Sequence, residues 1–180
     1  SVGNYSFVVA RRDFQALSEL GFVIVSVDAM GTPGRSKSFH DAYYGNMGDN
    51  GLPDNITTIE QLSKKYKAMD LSRVGIWGHS GGGFASTAAL LRYPDFYDVA
   101  VSSSGNHDNR NYEADWGEKW HGLLTPLNLN SSDGKTDFDS TKTNYDIQAN
   151  QLLVENLKGK LLIAHGMLDD NVPPSNTMVV

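Results

Sequence analysis

Cysteine is absent from this chain of 180 residues. The absence excludes disulfide bonds, thiolate metal sites and a cysteine nucleophile, but it leaves the compartment open, because oxidising and reducing environments both tolerate cysteine-free chains. Long hydrophobic runs are also missing, so we expect no membrane-spanning segment. Basic residues are few: 15 Lys and Arg stand against 21 Asp and Glu, a net charge of −6, which argues against nucleic acid as a partner.

The residues that are present indicate one folded domain. Hydrophobic residues make up 39% of the chain, which is enough for a core, and the length is that of a single domain. Apolar periodicity predicts helices at residues 13–20, 55–69, 84–91 and 145–157, a short helix after Pro174, and strands at 22–27, 73–77, 99–103 and 161–164. Residues 28–53 are predicted to form one long loop, and a turn-rich segment ends at Thr143.

This order of elements favours an α/β fold. Strands that alternate with helices form a mostly parallel sheet with right-handed crossovers and helices on both faces. Active residues of such sheets lie at the carboxyl ends of the strands. We therefore expect one edge of the sheet to hold Ser80 together with the segments that follow Val27, Ser103 and Ala164.

The most informative motif is Gly78-His79-Ser80-Gly81-Gly82, which follows a predicted strand and precedes a predicted helix. This is the arrangement of a nucleophile elbow, in which a strained G-x-S-x-G turn presents a serine hydroxyl above the sheet. We expect Ser80 to be a nucleophile, and Gly78 and Gly82 to be required because a side chain there collides with the neighbouring strand or helix. The backbone N–H of Gly81 is the expected oxyanion donor.

A serine nucleophile needs a histidine base and a carboxylate that orients the base. In folds with such an elbow the three occur in the order serine, acid, histidine. Asp169, in the loop after the strand at 161–164, has the expected place for the acid, and Asp170 is the alternative. Either carboxylate also has a structural explanation, because loop aspartates commonly close Asx turns. No further ligand stands at metal-binding spacing from this pair, so no metal site is predicted.

The base is harder to find in the sequence. The chain has five histidines, His40, His79, His107, His121 and His165, and all of them precede Asp169, contrary to the expected order. His79 lies inside the elbow and is expected to point away from the nucleophile, whereas His165 ends a strand and is expected to pack there. We therefore expect the catalytic histidine to follow Val180.

Two separate segments resemble one known family. Residues 70–82, Asp-Leu-Ser-Arg-Val-Gly-Ile-Trp-Gly-His-Ser-Gly-Gly, and residues 165–172, His-Gly-Met-Leu-Asp-Asp-Asn-Val, resemble the catalytic domain of the prolyl oligopeptidase family, in particular its dipeptidyl peptidase IV branch. The resemblance covers essentially the whole chain. Residues 28–35 resemble the Asp-x-Arg-Gly segment of that family, although Met30 stands where arginine is usual.

The resemblance implies that residues 1–180 form a partial α/β-hydrolase catalytic domain, truncated at both ends. A β-propeller is expected before it, and a segment with the catalytic histidine after it. No cofactor is implied. The second oxyanion donor of the family, a tyrosine hydroxyl, is expected before Ser1.

The same resemblance assigns roles to residues near the two motifs. It makes Ser80 the nucleophile and Asp169 the acid of the triad. Asn171 would bind a substrate carbonyl through its side-chain amide. Val172 would form a wall of the pocket for the substrate's proline.

Two aromatic residues complete the implied site. Tyr112 and Trp116 match positions at which this branch surrounds the penultimate proline or alanine of the substrate, and a flat ring buries a proline ring at low entropic cost. Together with Trp120 they also fit the spacing of one buried helix stripe. The sequence leaves both explanations open.

The resulting hypothesis is a serine exopeptidase domain that cleaves short peptides from N-termini after proline or alanine, through an acyl-enzyme on Ser80. Without the base and the second donor, residues 1–180 alone are expected to be inactive. Two alternatives remain: an esterase or acyl-peptide hydrolase on the same fold, or a binding module without catalysis. The resemblance implies peptide substrates, allows a homodimer of the full-length parent and favours a periplasmic or extracellular location.

Overall fold

A computed structural model describes residues 12–130 and 136–180. The α-helices in these residues are α1 (Arg12–Glu19), α2 (Lys37–His40), α3 (Leu52–Lys65), α4 (Gly81–Arg92), α5 (Ala114–His121) and α6 (Ser175–Met178). The strands are β1 (Gly75–His79), β2 (Val99–Ser103), β3 (Pro126–Asn130), β4 (Thr136–Thr143) and β5 (Lys160–Ala164). Short 3₁₀ turns lie at Asp41–Tyr43, Asn109–Asn111, Asp146–Gln148, Asn150–Leu152 and Val154–Asn156.

Strands β1, β2 and β5 form a parallel sheet in the order β1-β2-β5. They pair in register over their whole lengths, so that His79, Ser103 and Ala164 end level with one another. The ladder continues one residue further, because the N–H of Ser80 donates to Ser103 O and the N–H of Ser104 donates to Ala164 O, both at 2.9 Å. For these three strands the structure confirms that the segments after them share one edge.

Helices contact both faces of this sheet, but the face that carries Trp77 stays largely exposed: Trp77 is 43% and Leu162 60% exposed. On one face, residues 88–90 of α4 pack with Ile76 of β1 and Leu52 of α3 in the buried core. Because neighbouring residues of a strand point to opposite faces, Trp77 lies on the other face. Its ring meets that of Phe14 of α1 edge to face, with 6.0 Å between the centroids. The predicted α/β architecture is confirmed.

Helix α1 ends where its sequence predicts. Gly21, the residue predicted to stop this helix, has a φ of +90°. Its N–H donates to Ser18 O at 2.9 Å, and the N–H of Phe22 donates to Leu17 O at 3.2 Å. These two bonds form a Schellman motif, which satisfies carbonyl groups left free at a helix end. The helix predicted at 13–20 is confirmed.

The strand predicted at residues 22–27 is wrong. The segment has no regular secondary structure and is not part of a sheet, and Phe22 and Val23 are 60% and 54% exposed. A strand exists through its hydrogen bonds to a neighbouring strand. In the described part of the chain β1 pairs only with β2, and no strand pairs with 22–27.

The helix predicted at residues 145–157 is also wrong, because this segment forms three separate 3₁₀ turns. Two of its polar residues are buried and one of its leucines is not: Gln148 is 4% and Asn150 0% exposed, whereas Leu152 is 52% exposed. The side-chain amide of Asn150 donates to Phe84 O of α4 at 3.0 Å. Hydrogen bonds to distant parts of the fold therefore outweigh the apolar periodicity on which the prediction depended.

Smaller differences concern element boundaries. Helix α3 spans Leu52–Lys65 rather than 55–69, and α2 lies within the segment predicted as one loop. Strands β3 and β4 form an antiparallel pair that was not predicted, since this segment is rich in turn-forming residues. Among the described residues no helix has the length and apolar character needed to span a membrane.

Candidate active site

Ser80 occupies a sharp turn between β1 and α4. Its backbone has φ 57° and ψ −124°, a sparsely populated region for a residue with a side chain. Two hydrogen bonds hold the turn: the N–H of Ser80 donates to Ser103 O at 2.9 Å, and the N–H of Phe84 donates to Ser80 O at 3.0 Å. Such a conformation costs on the order of 1–3 kcal/mol and persists only where the surrounding structure enforces it. Ser80 is half-buried.

The glycines of the motif are not equivalent. A Cβ atom at Gly78 would lie 2.3 Å from the carbonyl oxygen of Gly82, and one at Gly83 would lie 2.7 Å from that of Ser103. Both contacts involve backbone, which cannot move aside. A Cβ at Gly82 would meet no atom within 4 Å. The expected collision is therefore confirmed at Gly78, and the expectation is wrong at Gly82. The backbone of Gly82 is crowded by the Gly78 position, but a side chain at Gly82 itself would point into open space.

Gly81 is the first residue of α4, and the first N–H groups of a helix have no partner within the helix. The positive end of the helix dipole adds to this, so the position suits a developing negative charge. A Cβ atom at Gly81 would lie 3.4 Å from Trp116 Cζ2 and 3.6 Å from Met47 Cε. Met47 was not predicted, because nothing in its local sequence distinguishes it within the long loop.

The structure brings the two predicted aromatic residues together beside the elbow. The rings of Tyr112 and Trp116 meet edge to face at 5.5 Å, and Trp116 lies next to Gly81. Tyr112 precedes α5 and is half-buried, as is Trp116, whereas Trp120 is 7% exposed. The stripe thus runs from the core to the surface. The Tyr112 hydroxyl donates to Asn171 Oδ1 at 2.8 Å, and burial raises the pKa of that hydroxyl.

Asp169 closes a tight turn after β5. Its Oδ1 accepts from the N–H of Asn171 at 3.1 Å and from the N–H of Val172 at 2.9 Å. The Val172 bond is the main cause that holds the pKa of Asp169 below its usual value, and the Ser104 hydroxyl adds to it. The Asx turn considered from the sequence is therefore present. Asp170, the alternative acid, is exposed.

The second oxygen of this carboxylate faces a histidine. Asp169 Oδ2 lies 3.4 Å from His165 Nε2. The same nitrogen is 2.8 Å from Val172 O, and His165 Nδ1 is 2.6 Å from the Thr177 hydroxyl. Both ring nitrogens of His165 are thus engaged, as expected for a packed residue. The Val172 side chain is 2% exposed, so only a small part of its surface is open to the site.

Each of the other four histidines has contacts away from Ser80. These contacts are His40 with the Tyr43 ring, His79 with the Ser103 hydroxyl, His107 with the side chains of Ser102 and Asn150, and His121 with the Asn109 amide. Burial lowers the pKa of His107 to about 4, so its ring is neutral near pH 7. Among the described residues no group of three or more histidine or carboxylate side chains could hold a metal ion.

A cluster of charges around the buried Asp108 supports the segment before Tyr112. The Arg110 guanidinium grips both oxygens of Asp108, at 2.9 and 2.7 Å, and also pairs with Asp146. Gln151 donates to Asp108 as well. Burial raises the pKa of Asp108, but the bonds from Arg110 outweigh it and hold the pKa below its usual value. The sequence did not predict this cluster, because Asp146 and Gln151 lie about 40 residues after Asp108 and Arg110.

A parallel sheet flanked by helices, with a strained serine at the turn between β1 and α4, defines the α/β-hydrolase class. Within that class the chain belongs to the prolyl oligopeptidase family, whose sequence profile matches residues 8–180. The resemblance of residues 70–82 and 165–172 to this family is thereby confirmed.

The chain is similar to several dipeptidyl peptidases. Human dipeptidyl peptidase 8 is 28% identical over 167 residues, which cover 91% of this chain and 17% of the relative. Dipeptidyl peptidase family member 1 of Caenorhabditis elegans is 30% identical over 160 residues, 87% of this chain and 18% of the relative. The crystal structure of Porphyromonas gingivalis dipeptidyl peptidase 4 matches with a TM-score of 0.68 at 25% identity, covering 85% of this chain and 20% of that one. The chain thus spans about a fifth of these relatives' length.

Proposed function

We propose that these 180 residues belong to the catalytic domain of a serine exopeptidase that releases short peptides from N-termini after proline or alanine. The observation that carries the proposal is the line of contacts from the elbow through Trp116 and Tyr112 to Asn171. These contacts place two aromatic rings and a side-chain amide near the strained Ser80. The names of the relatives agree with this activity.

The proposed reaction has two steps. The base takes the proton of the Ser80 hydroxyl while the oxygen bonds to the carbonyl carbon of the scissile amide, and the N–H of Gly81 donates to the resulting oxyanion. The C–N bond then breaks, and the amine leaves with the proton from the base. Water repeats the sequence on the ester, which frees the peptide acid and restores Ser80.

We propose Asp169 as the acid of the triad. Its carboxylate stays ionised because the N–H groups of Val172 and Asn171 and the Ser104 hydroxyl bind it. An ionised carboxylate can hold an imidazolium in one orientation. All five histidines have other contacts, so we propose that the base lies outside residues 1–180, in a longer protein that also carries a β-propeller.

The choice between the two candidate acids can be tested by matched variants of the full-length protein. Asp169→Asn should lower kcat by about 10⁴-fold, because an amide cannot stabilise the imidazolium. Asp170→Asn, which changes an exposed neighbour by the same single atom, should stay within about 2-fold. Steady-state kinetics on an Xaa-Pro amide measure both. A larger loss with Asp170→Asn would reverse the assignment.

We propose that the pocket for the residue before the scissile bond is bordered by Tyr112, Trp116 and Val172, with Asn171 binding a substrate carbonyl. A flat apolar wall favours a compact ring over a flexible or charged side chain. The full-length protein should therefore cleave Xaa-Pro and Xaa-Ala amides with kcat/KM about 10² higher than matched Xaa-Lys amides.

That substrate series, measured by release of a chromogenic amine, also tests the alternatives. Faster turnover of simple aryl esters with no preference among the amides would favour an esterase. Release of N-acylated residues would favour an acyl-peptide hydrolase. The absence of any turnover would favour a binding module. Residues 1–180 alone should release no amine, and proline-specific amidase activity from them would contradict the proposed location of the base.

A further inference from the structure

Asn176 of α6 lies at the centre of a buried hydrogen-bonded bridge. The residue is 0% exposed. Its Oδ1 accepts from the backbone N–H of Asp108 at 3.1 Å, and its Nδ2 donates to the backbone oxygen of Asn111 at 2.9 Å. One amide side chain thus satisfies a donor and an acceptor of the segment that ends immediately before Tyr112.

The same two segments meet again within the candidate site. The Tyr112 hydroxyl donates to Asn171 Oδ1 at 2.8 Å. Asn171 precedes Asn176 by five residues, and Tyr112 directly follows Asn111. The two contacts, together with the two chain segments between them, therefore form a closed ring of residues. Moving one segment relative to the other would break both contacts.

Each side of this ring is itself held in place. On the side of Asn171, the Asp169 carboxylate accepts from the N–H of Val172, and His165 bonds to Val172 O at 2.8 Å. On the side of Tyr112, the Arg110 guanidinium grips Asp108 with two bonds. Asn176 joins the two segments. Because Asn176 is buried, losing either of its hydrogen bonds would leave a buried polar group unpaired, which destabilises the fold.

We propose that Asn176 is a positioning residue: it fixes the separation of Tyr112 from Asn171 and so controls substrate binding, with no part in the chemistry at Ser80. The proposal rests on the proposed function of this site. A residue that acts in this way alters KM through the pocket, and it leaves the reactivity of the nucleophile unchanged.

Asn176→Asp is the most informative variant, since it keeps the size of the side chain and its acceptor but replaces the donor that Asn111 needs. In the full-length protein, KM for an Xaa-Pro amide should rise at least about 10-fold, while kcat stays within about 3-fold. The rate at which a fluorophosphonate labels Ser80 should also stay within about 3-fold. Asn156→Asp, the same change at an exposed asparagine, should leave all three values unaltered.

A double-mutant cycle separates positioning from general stability. In a Tyr112→Ala background the pocket has lost the group that Asn176 holds, so adding Asn176→Asp should change KM by less than about 2-fold. An equal rise in KM in both backgrounds would overturn the proposal. An unchanged KM for Asn176→Asp alone would also overturn it.

Two further measurements test the proposal if the variant does not fold or if the proposed function is wrong. If Asn176→Asp does not fold, amide hydrogen exchange of the wild-type protein decides: Asp108 N–H should be protected, and a proline-containing inhibitor should slow its exchange further. Rapid exchange, unaffected by that inhibitor, would contradict the bridge. If Ser80→Ala remains active, the proposed function fails instead, independently of Asn176.

Discussion

Replacing Ser80 by alanine should lower kcat of the full-length protein by about 10⁶-fold. The expected loss is this large because the covalent route through the acyl-enzyme disappears, and only binding and oxyanion stabilisation remain. The strained backbone of Ser80, with φ 57°, supports this role, because the surrounding structure maintains an unfavourable conformation at the turn that presents the hydroxyl. The rate of amine release from an Xaa-Pro amide measures it.

The matched control for this variant is Ser18→Ala. Ser18 is an exposed serine of α1 whose hydroxyl donates to Phe14 O of the same helix at 2.9 Å. Its replacement should leave kcat within about 2-fold. A Ser80→Ala protein that is folded and retains more than about a hundredth of the rate would contradict the assignment of the nucleophile.

Gly78→Ala should be the most damaging small substitution in the elbow. The added Cβ would lie 2.3 Å from the carbonyl oxygen of Gly82 and 2.4 Å from its carbonyl carbon. Because backbone atoms form both contacts, the turn itself must move, and we expect a loss of at least about 3 kcal/mol in the free energy of unfolding. The displaced turn should also abolish activity, since a shift of about 1 Å at a reacting group can cost about 10²-fold.

Gly82→Ala provides the matched comparison. It belongs to the same motif and adds the same atom, but no other atom lies within 4 Å of that position. Where the backbone allows alanine, replacing glycine stabilises a protein by about 0.4–1 kcal/mol because the unfolded chain loses freedom, so this variant should be as stable as the wild type or slightly more stable. Denaturant unfolding of the two variants measures the difference. Equal destabilisation by both would contradict the geometry of the turn.

The elbow could be predicted from sequence because everything that defines it is local. A strand, a G-x-S-x-G turn and a helix occupy consecutive residues, and the register of the sheet then determines which other segments lie near Ser80. The same holds for α1, whose end is encoded by Gly21. Local signals failed at Gly82, where the motif alone does not reveal which of its glycines is crowded.

The parts that escaped prediction depend on contacts between distant residues. Asn176 bonds to Asp108 across 68 positions of the chain, and Asn150 bonds to Phe84 across 66. Nothing in the neighbourhood of either asparagine shows that its amide will be buried. The strand predicted at residues 22–27 was wrong for a related reason. Apolar residues indicate a strand, but they do not show whether a partner strand lies beside it.

Covalent labelling tests most directly whether Ser80 is the nucleophile of a peptidase. The full-length protein is treated with a fluorophosphonate, digested and mapped by mass spectrometry, in parallel with Ser80→Ala. We expect one adduct, on Ser80, loss of Xaa-Pro amidase activity in proportion to labelling, and no adduct on the variant. An adduct on another residue, or full amidase activity after Ser80 is completely labelled, would contradict it.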